Sequence, residues 1–312
     1  MKLRDVICGY ITFRQSMGQK FTTFARILTA FCKVTDGDDI EADQVNPDRV
    51  LSFLGRPTTR YWHHKYTALA GFYRYATSRS YIVSSPLPTI TPKVPPRFIP
   101  YIYKQEEVRR LLDATTSYRR THLLLEPHTF RAVLLLLYGA GLRISEALAL
   151  TMADVDLVAR QLVIQESKFY KSRIVPLGTD LNEGMVRYAK HRVGHSTVPN
   201  APFFAGRTGD RLKIPTVQQA FRQLRLHAGI RREDGARYQP RIHDLRHAFA
   251  VNRLVAWYKA GADVQILLPK LSTYLGHISL ASTQLYLTMT PELLQEASRR
   301  FERYANEVNP HE

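Results

Sequence analysis

Cysteine is scarce. The 312 residues contain two, Cys8 and Cys32, in helical-looking segments without metal-ligand spacing. That pattern excludes a disulfide framework or a cysteine-based zinc site, and both thiols are expected to be reduced and packed. Long apolar runs are missing too. No stretch of eighteen occurs, so no segment reads as a membrane-spanning helix. The opening MKLRDVICGY lacks the apolar core of a secretory signal, and the chain is expected to be cytoplasmic. No G-x-x-x-x-G-K phosphate loop is present, and no acidic cluster accompanies the candidate catalytic residues. Phosphate chemistry built on a nucleotide loop or on Mg²⁺ is therefore not expected.

Acidic residues are the scarcer charge. Asp and Glu number 27 against 44 Lys and Arg, a formal net charge of +17, and the pI is near 10.0. Such a balance points to a polyanionic partner, with nucleic acid the first choice. Charge alone separates neither DNA from RNA nor an enzyme from a packaging protein. The hydrophobic share of 45% is that of an ordinary globular protein, and the length suffices for two domains.

Residues 2 to 84 read as helical. Phe24, Ile27, Leu28 and Phe31 recur at i, i+3, i+4 and i+7, the stripe of an amphipathic helix. Asn46-Pro47 predicts a cap and first turn of a short helix through Leu54. From Arg60 to Tyr81, Trp62, Tyr66, Leu69 and Tyr73 form an aromatic stripe expected in a core. Basic residues surround it. Between Pro86 and Pro100 six of fifteen residues are proline, which predicts a stiff extended linker and a domain boundary.

Beyond the linker, a helix is expected over Gln105 to Ala114, with Val108, Leu111 and Leu112 buried, and a fully apolar one over Phe130 to Tyr138. Gly139-Ala140-Gly141 then permits a tight turn, and Arg143 falls at the start of the next helix, a natural phosphate site. A plain salt bridge from Arg143 to Glu146 or Asp154 is the alternative. Two β-branched runs, Leu162 to Ile164 and Ile174 to Leu177, bound a polar tip holding Lys168, Lys171 and Arg173 and read as a hairpin. Helices are expected near Asp180 to Arg192 and Thr216 to His227, with Arg222, Arg225, Arg231 and Arg232 at the surface. In the stretch from Arg241 to Leu287, His243 and Arg246 are three apart and so share a helix face. An arginine fork with histidines suits an anion, and Tyr286, nine residues after His277, offers a nucleophilic hydroxyl. Leu275-Gly276-His277 also fits a helix end with Gly276 left-handed.

The ordered set of Arg143, the Lys168 hairpin, His243-x-x-Arg246, Leu275-Gly276-His277 and Tyr286 resembles the catalytic signature of the tyrosine recombinases, the phage-integrase family. The resemblance covers nearly the whole chain and is most specific from Gly139 to Tyr286. It implies a mainly α fold with a small β-sheet or hairpin in two domains. These are a helical, SAM-like core-binding domain over residues 1–85 and an α+β catalytic domain over 101–312, joined by the linker at 86–100. A C-terminal helix over 291–305, capped by Thr290-Pro291, carries Leu294, Ala297, Phe301 and Tyr304 as a stripe that must be buried, either against its own catalytic domain or, as the resemblance implies, on a neighbouring protomer.

The resemblance also assigns roles. Tyr286 is the nucleophile, Arg143 and Arg246 clamp the phosphoryl oxygens, His277 donates to the same phosphate, and Glu146 helps order the site. His243 is expected to take the tyrosine proton and Lys168 to protonate the leaving 5′-oxygen. Family hairpins often read Gly-Lys-Gly, whereas Ser167 and Phe169 flank Lys168 here, so Lys171 stays an alternative. Arg60, His64, Lys65, Arg74, Lys93, Arg97, Lys171 and Arg173 are expected to face DNA.

No cofactor is expected, because a phosphotyrosine ester keeps the energy of the broken bond. No metal is expected either, since the arginines interspersed among His243, His247 and His277 repel cations. The implied partner is double-stranded DNA with inverted-repeat half-sites, bound by a homo-tetramer whose subunits are monomers in solution. Association with a bacterial nucleoid, and no membrane, follow from the same resemblance. A type IB topoisomerase shares the chemistry, and a non-catalytic DNA-binding protein shares the fold. The helical first domain and the competent residue at every catalytic position argue against these two.

Overall fold

A computed structural model describes residues 1–57, 59–94, 99–117, 125–165, 172–192, 196–236, 238–277, 279–288, 293–299 and 302. The chain divides into two compact units, Met1–Phe98 and Ile99–Glu312. No helix among the described residues is long and apolar enough to cross a membrane.

The first unit is helical: α1 (Leu3–Ser16), α2 (Thr22–Val34), α3 (Pro47–Leu54) and α4 (Arg60–Ser78). The Asn46 side chain caps α3 by accepting from the Arg49 amide at 2.9 Å, and Thr59 caps α4 at the Trp62 amide. Such caps satisfy backbone donors that the first turn leaves open. Ile27, Leu28 and Phe31 of α2 meet Trp62, Leu69, Phe72 and Tyr73 of α4 in one buried cluster. The proline-rich stretch is not wholly free of this unit. Leu87 packs on the same cluster, and the Tyr66 hydroxyl donates to the Pro88 carbonyl at 3.1 Å. Cys32 is buried, but Cys8 is exposed rather than packed, because its position on α1 lies outside the Leu3, Val6, Ile7 and Tyr10 face.

The second unit is built around α6 (Pro127–Gly139), an almost wholly apolar helix. It packs against α5 (Gln105–Ser117), α8 (Thr179–His191) and α10 (Asp244–Lys259). Between α7 (Ile144–Ala149) and α8 lies a three-stranded antiparallel sheet in the order β1 (Val155–Asp156), β2 (Gln161–Ile164), β3 (Arg173–Pro176). The β2–β3 register pairs Ile164 with Arg173, so Arg173 is the first residue of a strand and not part of the hairpin tip. Lys168 and Lys171 lie outside the described residues. After α9 (Ile214–His227) come α10, α11 (Val264–Leu275), the single turn α12 (Ala281–Gln284) and a 3-10 turn, Leu285–Thr288.

A second apolar cluster joins α10, α11 and the tyrosine turn through Val251, Leu254, Leu268, Leu271, Leu275 and Tyr286. Residues 293–299 are helical. Leu293, only 1% exposed, packs into that cluster, while Leu294 is 52% exposed. The buried face is therefore Leu293 and Glu296, one residue out of step with the expected Leu294–Ala297 stripe. The anchoring contact with the Tyr286 cluster sets this rotation. Thr290, Pro291, Phe301 and Tyr304 lie outside the described residues.

Candidate active site

Two glycines make the site possible. Gly141 has φ +60°, and a Cβ there would stand 2.4 Å from the Phe249 ring on α10. Only glycine lets the chain leave α6 hard against α10 and place Arg143 at the N-cap of α7. Gly276 ends α11 in the left-handed region, with the His277 amide donating to Ser272 and the Gly276 amide to Thr273, the usual helix-ending arrangement. A Cβ on Gly276 would stand 2.6 Å from the Arg173 guanidinium. The helix-end reading and the site reading of Leu275-Gly276-His277 thus hold together.

Three arginines meet over one carboxylate. Arg143 Nη1 donates to Glu146 Oε1 at 2.6 Å and its amide to Oε2 at 3.0 Å, while Nη2 reaches the Gly276 carbonyl at 2.9 Å. The salt-bridge alternative for Arg143 is therefore present, but it leaves the side chain 29% exposed. Arg173 forks onto both Glu146 oxygens at 3.1 and 2.9 Å and donates from Nε to the Tyr274 carbonyl at 2.9 Å. Arg246, 2% exposed, donates to the carbonyls of Gly141 and Leu275, each at 2.7 Å, with Glu146 Oε2 3.9 Å away. Burial alone would raise the Glu146 carboxyl, but the Arg173 fork, with Arg143 beside it, holds it down to about 2. Burial and the Arg143 charge push Arg246 down only to about 10, so it stays cationic at neutral pH. Three guanidiniums over one carboxylate leave two positive charges uncompensated.

Tyr286 stands beside this cluster, 3% exposed. Burial raises its hydroxyl above the ordinary tyrosine value, against the pull of Arg246 and Arg143. The hydroxyl lies 3.2 Å from Nδ1 of His247, which is not among the residues that the resemblance marks as catalytic. His243, the expected partner, immediately precedes α10 in helical conformation, and its carbonyl accepts from the Arg246 amide at 3.1 Å, so the two lie on one turn as the spacing suggests. Its ring meets His247 edge-on at 5.0 Å. The signal for His247 was available: it lies one helical turn after His243 and beside Arg246.

His277 lies 6.0 Å from the Tyr286 ring, nearly parallel to it, and its Nδ1 is 2.7 Å from the hydroxyl of fully buried Thr283. Burial and then neighbouring cations lower all three imidazoles, His243 to about 4, His247 to about 3 and His277 to about 4. All are neutral at pH 7. A neutral imidazole can accept a proton at one nitrogen while donating from the other. Among the described residues no group of three or more His, Cys, Asp and Glu is arranged to hold a metal ion. The donor set, guanidiniums and imidazoles around a hydroxyl, suits an anion instead.

The residues expected to face DNA are spread differently from the expectation. On α4, Arg60, His64 and Arg74 are exposed and fall within about 80° of one another around the helix, opposite the buried Trp62–Leu69–Tyr73 stripe. Lys65 is half-buried instead, its Nζ donating to the Phe53 carbonyl at 2.6 Å beneath the Phe53 and Tyr61 rings. Arg173 is likewise withdrawn, its side chain 10% exposed, because Glu146 demands a second fork. Arg225 is buried and donates to the Ile230 carbonyl, and Arg232 pairs with Asp234. Lys93 is exposed, and Arg97 lies outside the described residues.

The sequence profile of the phage integrase family matches residues 102–292. The chain is 36% identical over 307 residues to y4rB of Sinorhizobium fredii, named as a candidate integrase/recombinase, covering 96% of this chain and 97% of that protein. It is 30% identical over 235 residues to the tyrosine recombinase XerD of Mycobacterium leprae, covering 73% and 69% of the two chains. In fold it resembles a Tn1549 transposon integrase solved with transposon right-end DNA, with TM-score 0.70, 16% identity and coverage of 98% and 100%. A lambda integrase tetramer bound to a Holliday junction gives TM-score 0.64 at 17% identity, covering 92% and 77%. Matched along most of its second unit by the family profile, and along nearly its whole length by an integrase/recombinase relative, this chain belongs to the phage integrase family, the tyrosine recombinases.

Proposed function

We propose that this chain breaks and rejoins DNA site-specifically through a covalent 3′-phosphotyrosine at Tyr286. The observation that carries the reading is the uncompensated charge. Arg143, Arg173 and Arg246 share the single carboxylate Glu146 beside a buried tyrosine hydroxyl already paired with an imidazole. A phosphodiester brings one negative charge, and attack by phenolate oxygen adds a second in the transition state. Two fixed positive charges in a desolvated site match that state better than the ground state, which is the condition for catalysis.

In this reading the Tyr286 oxygen bonds to phosphorus while the bond to the 5′-oxygen breaks. The Tyr286 proton passes to the His243–His247 pair. Arg143, the most accessible of the three guanidiniums, and Arg246 hold the phosphoryl oxygens. Thr283 donating to His277 Nδ1 leaves its Nε2–H to donate to the same phosphate. Lys168 on the hairpin protonates the departing 5′-oxygen, with Lys171 the alternative. The reverse step, with a 5′-hydroxyl from another strand, completes exchange without a cofactor.

The exposed basic face of α4 and Lys93 would lie on phosphates, the first unit acting as a core-binding domain, residues 86–100 as the linker and residues 101–312 as the catalytic domain. The substrate class is duplex DNA with inverted-repeat half-sites, bound by four copies, each a monomer when free. The setting is the cytoplasm, at the bacterial nucleoid. The test is Tyr286→Phe, which removes one oxygen and keeps the basic surface. Covalent capture of nicked DNA should vanish while binding stays within about twofold. A two-site plasmid assay then separates recombination from simple relaxation of supercoils. An adduct formed by the Phe variant would remove Tyr286 from its role.

A further inference from the structure

Resting on the strand-transfer reading, we infer that His247 is a further catalytic residue, its Nδ1 taking the proton of the Tyr286 hydroxyl as the oxygen bonds to phosphorus. The geometry separates the three histidines. His247 Nδ1 is 3.2 Å from the hydroxyl, and the two rings are tilted 58° with centroids 5.6 Å apart, so the contact joins a ring nitrogen to oxygen rather than two ring faces. His277 has turned its Nδ1 to Thr283 and lies flat beside the tyrosine ring, a placement that offers the hydroxyl no acceptor. His243 meets His247 at right angles, with ring centroids 5.0 Å apart.

The step balances within the named groups. The Oη–H bond breaks and the Oη–P bond forms, the proton moving to His247 Nδ1. The P–O5′ bond breaks, and the leaving oxygen takes its proton from the hairpin lysine. No oxidant, metal or further reactant enters.

The surroundings make the base conditional on substrate. Burial, and then the charges of His243, Arg241, Arg246 and His277, lower the His247 imidazole to about 3, so it is neutral in the free chain. An entering phosphate offsets the excess positive charge and strengthens the imidazole as a base. Tyr286 therefore keeps its proton until a phosphodiester is in place, and an idle site does not generate a phenolate.

The test uses the full chain. A DNA site is first selected from a randomised duplex library by covalent capture with the wild-type protein, then rebuilt as a nicked duplex that loses the cleaved fragment. His247→Asn keeps an acceptor oxygen at the Nδ1 position but cannot take the proton. It should bind within about twofold of wild type and cleave about a hundred- to a thousandfold more slowly. A more acidic nucleophile, trifluorotyrosine installed at position 286, should restore most of the lost rate in His247→Asn and little of it in His243→Asn. His247→Ala with added imidazole provides a second route to rescue. Cleavage by His247→Asn within about threefold of wild type, or a slow variant rescued by neither route, would overturn the proposal. Failure of the wild-type chain to form any adduct would instead sink the strand-transfer reading beneath it.

Discussion

Arg173→Ala is the substitution whose consequences the structure defines most fully. Arg173 begins β3, forks onto both oxygens of Glu146 and donates to the Tyr274 carbonyl. Its side chain is 10% exposed and that of Glu146 is 7% exposed, so solvent cannot replace what is lost. Removal leaves each Glu146 oxygen with only its Arg143 donor, one carbonyl without its donor and a void against Gly276. Breaking a buried pair by deleting one partner costs about 3–5 kcal/mol. Arg143 stays on Glu146, which puts the expected loss near the lower end, about 3 kcal/mol.

The proton affinity of Glu146 reflects both arginines. Against the pull of burial, Arg173 and Arg143 together lower its carboxyl from 4.5 to about 2, and at about 1.4 kcal/mol for each tenfold change in proton affinity the net shift is about 3 kcal/mol, shared between the two. The sign follows from linkage. A depressed carboxyl contributes stability that is complete above about pH 4.5 and is lost as pH falls toward about 2. For a domain of this size each kcal/mol moves Tm by about 2–4 °C. Thermal melts at pH 7 should therefore place Arg173→Ala about 6–12 °C below wild type, with the gap closing as pH drops from about 4.5 to 2. Arg173→Lys should recover only part, because one ammonium cannot span two oxygens. A variant melting within about 2 °C of wild type at pH 7, or a gap indifferent to pH, would refute the hub role.

Three other outcomes are expected. Lys168→Ala should slow cleavage far more than Lys171→Ala, and a 5′-bridging sulfur, whose thiolate needs no proton, should rescue the Lys168 variant alone; rescue of Lys171→Ala instead would shift the register of the tip. Thr283→Val should fold at a cost of about 1–3 kcal/mol yet cleave about tenfold more slowly as His277 loses its fixed tautomer, and Thr283→Ser should restore the rate. Truncation after Arg299 spares the buried Leu293 and Glu296 and removes Phe301 and Tyr304, so it should leave a folded monomer that binds a half-site but forms no tetramer on two-site DNA. Sedimentation checks this, and unchanged tetramers would rule out docking in trans.

Local pattern was enough for the elements themselves. The Asn46-Pro47 cap and the end at Leu54 fall where the spacing puts them, since capping is a property of neighbouring residues. The apolar run before Gly139 became the central helix of its unit. The pattern was less informative where a residue has two credible partners. Arg173 and Lys65 read as phosphate ligands because a cation in sequence carries no record of the acceptor waiting for it. Leu294 read as buried because a stripe drawn one residue out of phase looks the same until an anchor such as Leu293 fixes the rotation.

The sequence by itself determined the chemistry on offer: a strongly basic chain, an ordered set of arginines, histidines and one well-placed tyrosine, and two glycines free to turn where those residues must meet. Only the tertiary structure decided who pairs with whom. Glu146 receives Arg143 from its own helix turn and Arg173 from a strand 27 residues later. Tyr286 finds the imidazole of His247, 39 residues before it. Such pairings depend on the packing of α10 against α6 and of α11 against β3, and long-range packing is set by the shape and burial of every neighbour together. No spacing rule within a single segment contains it.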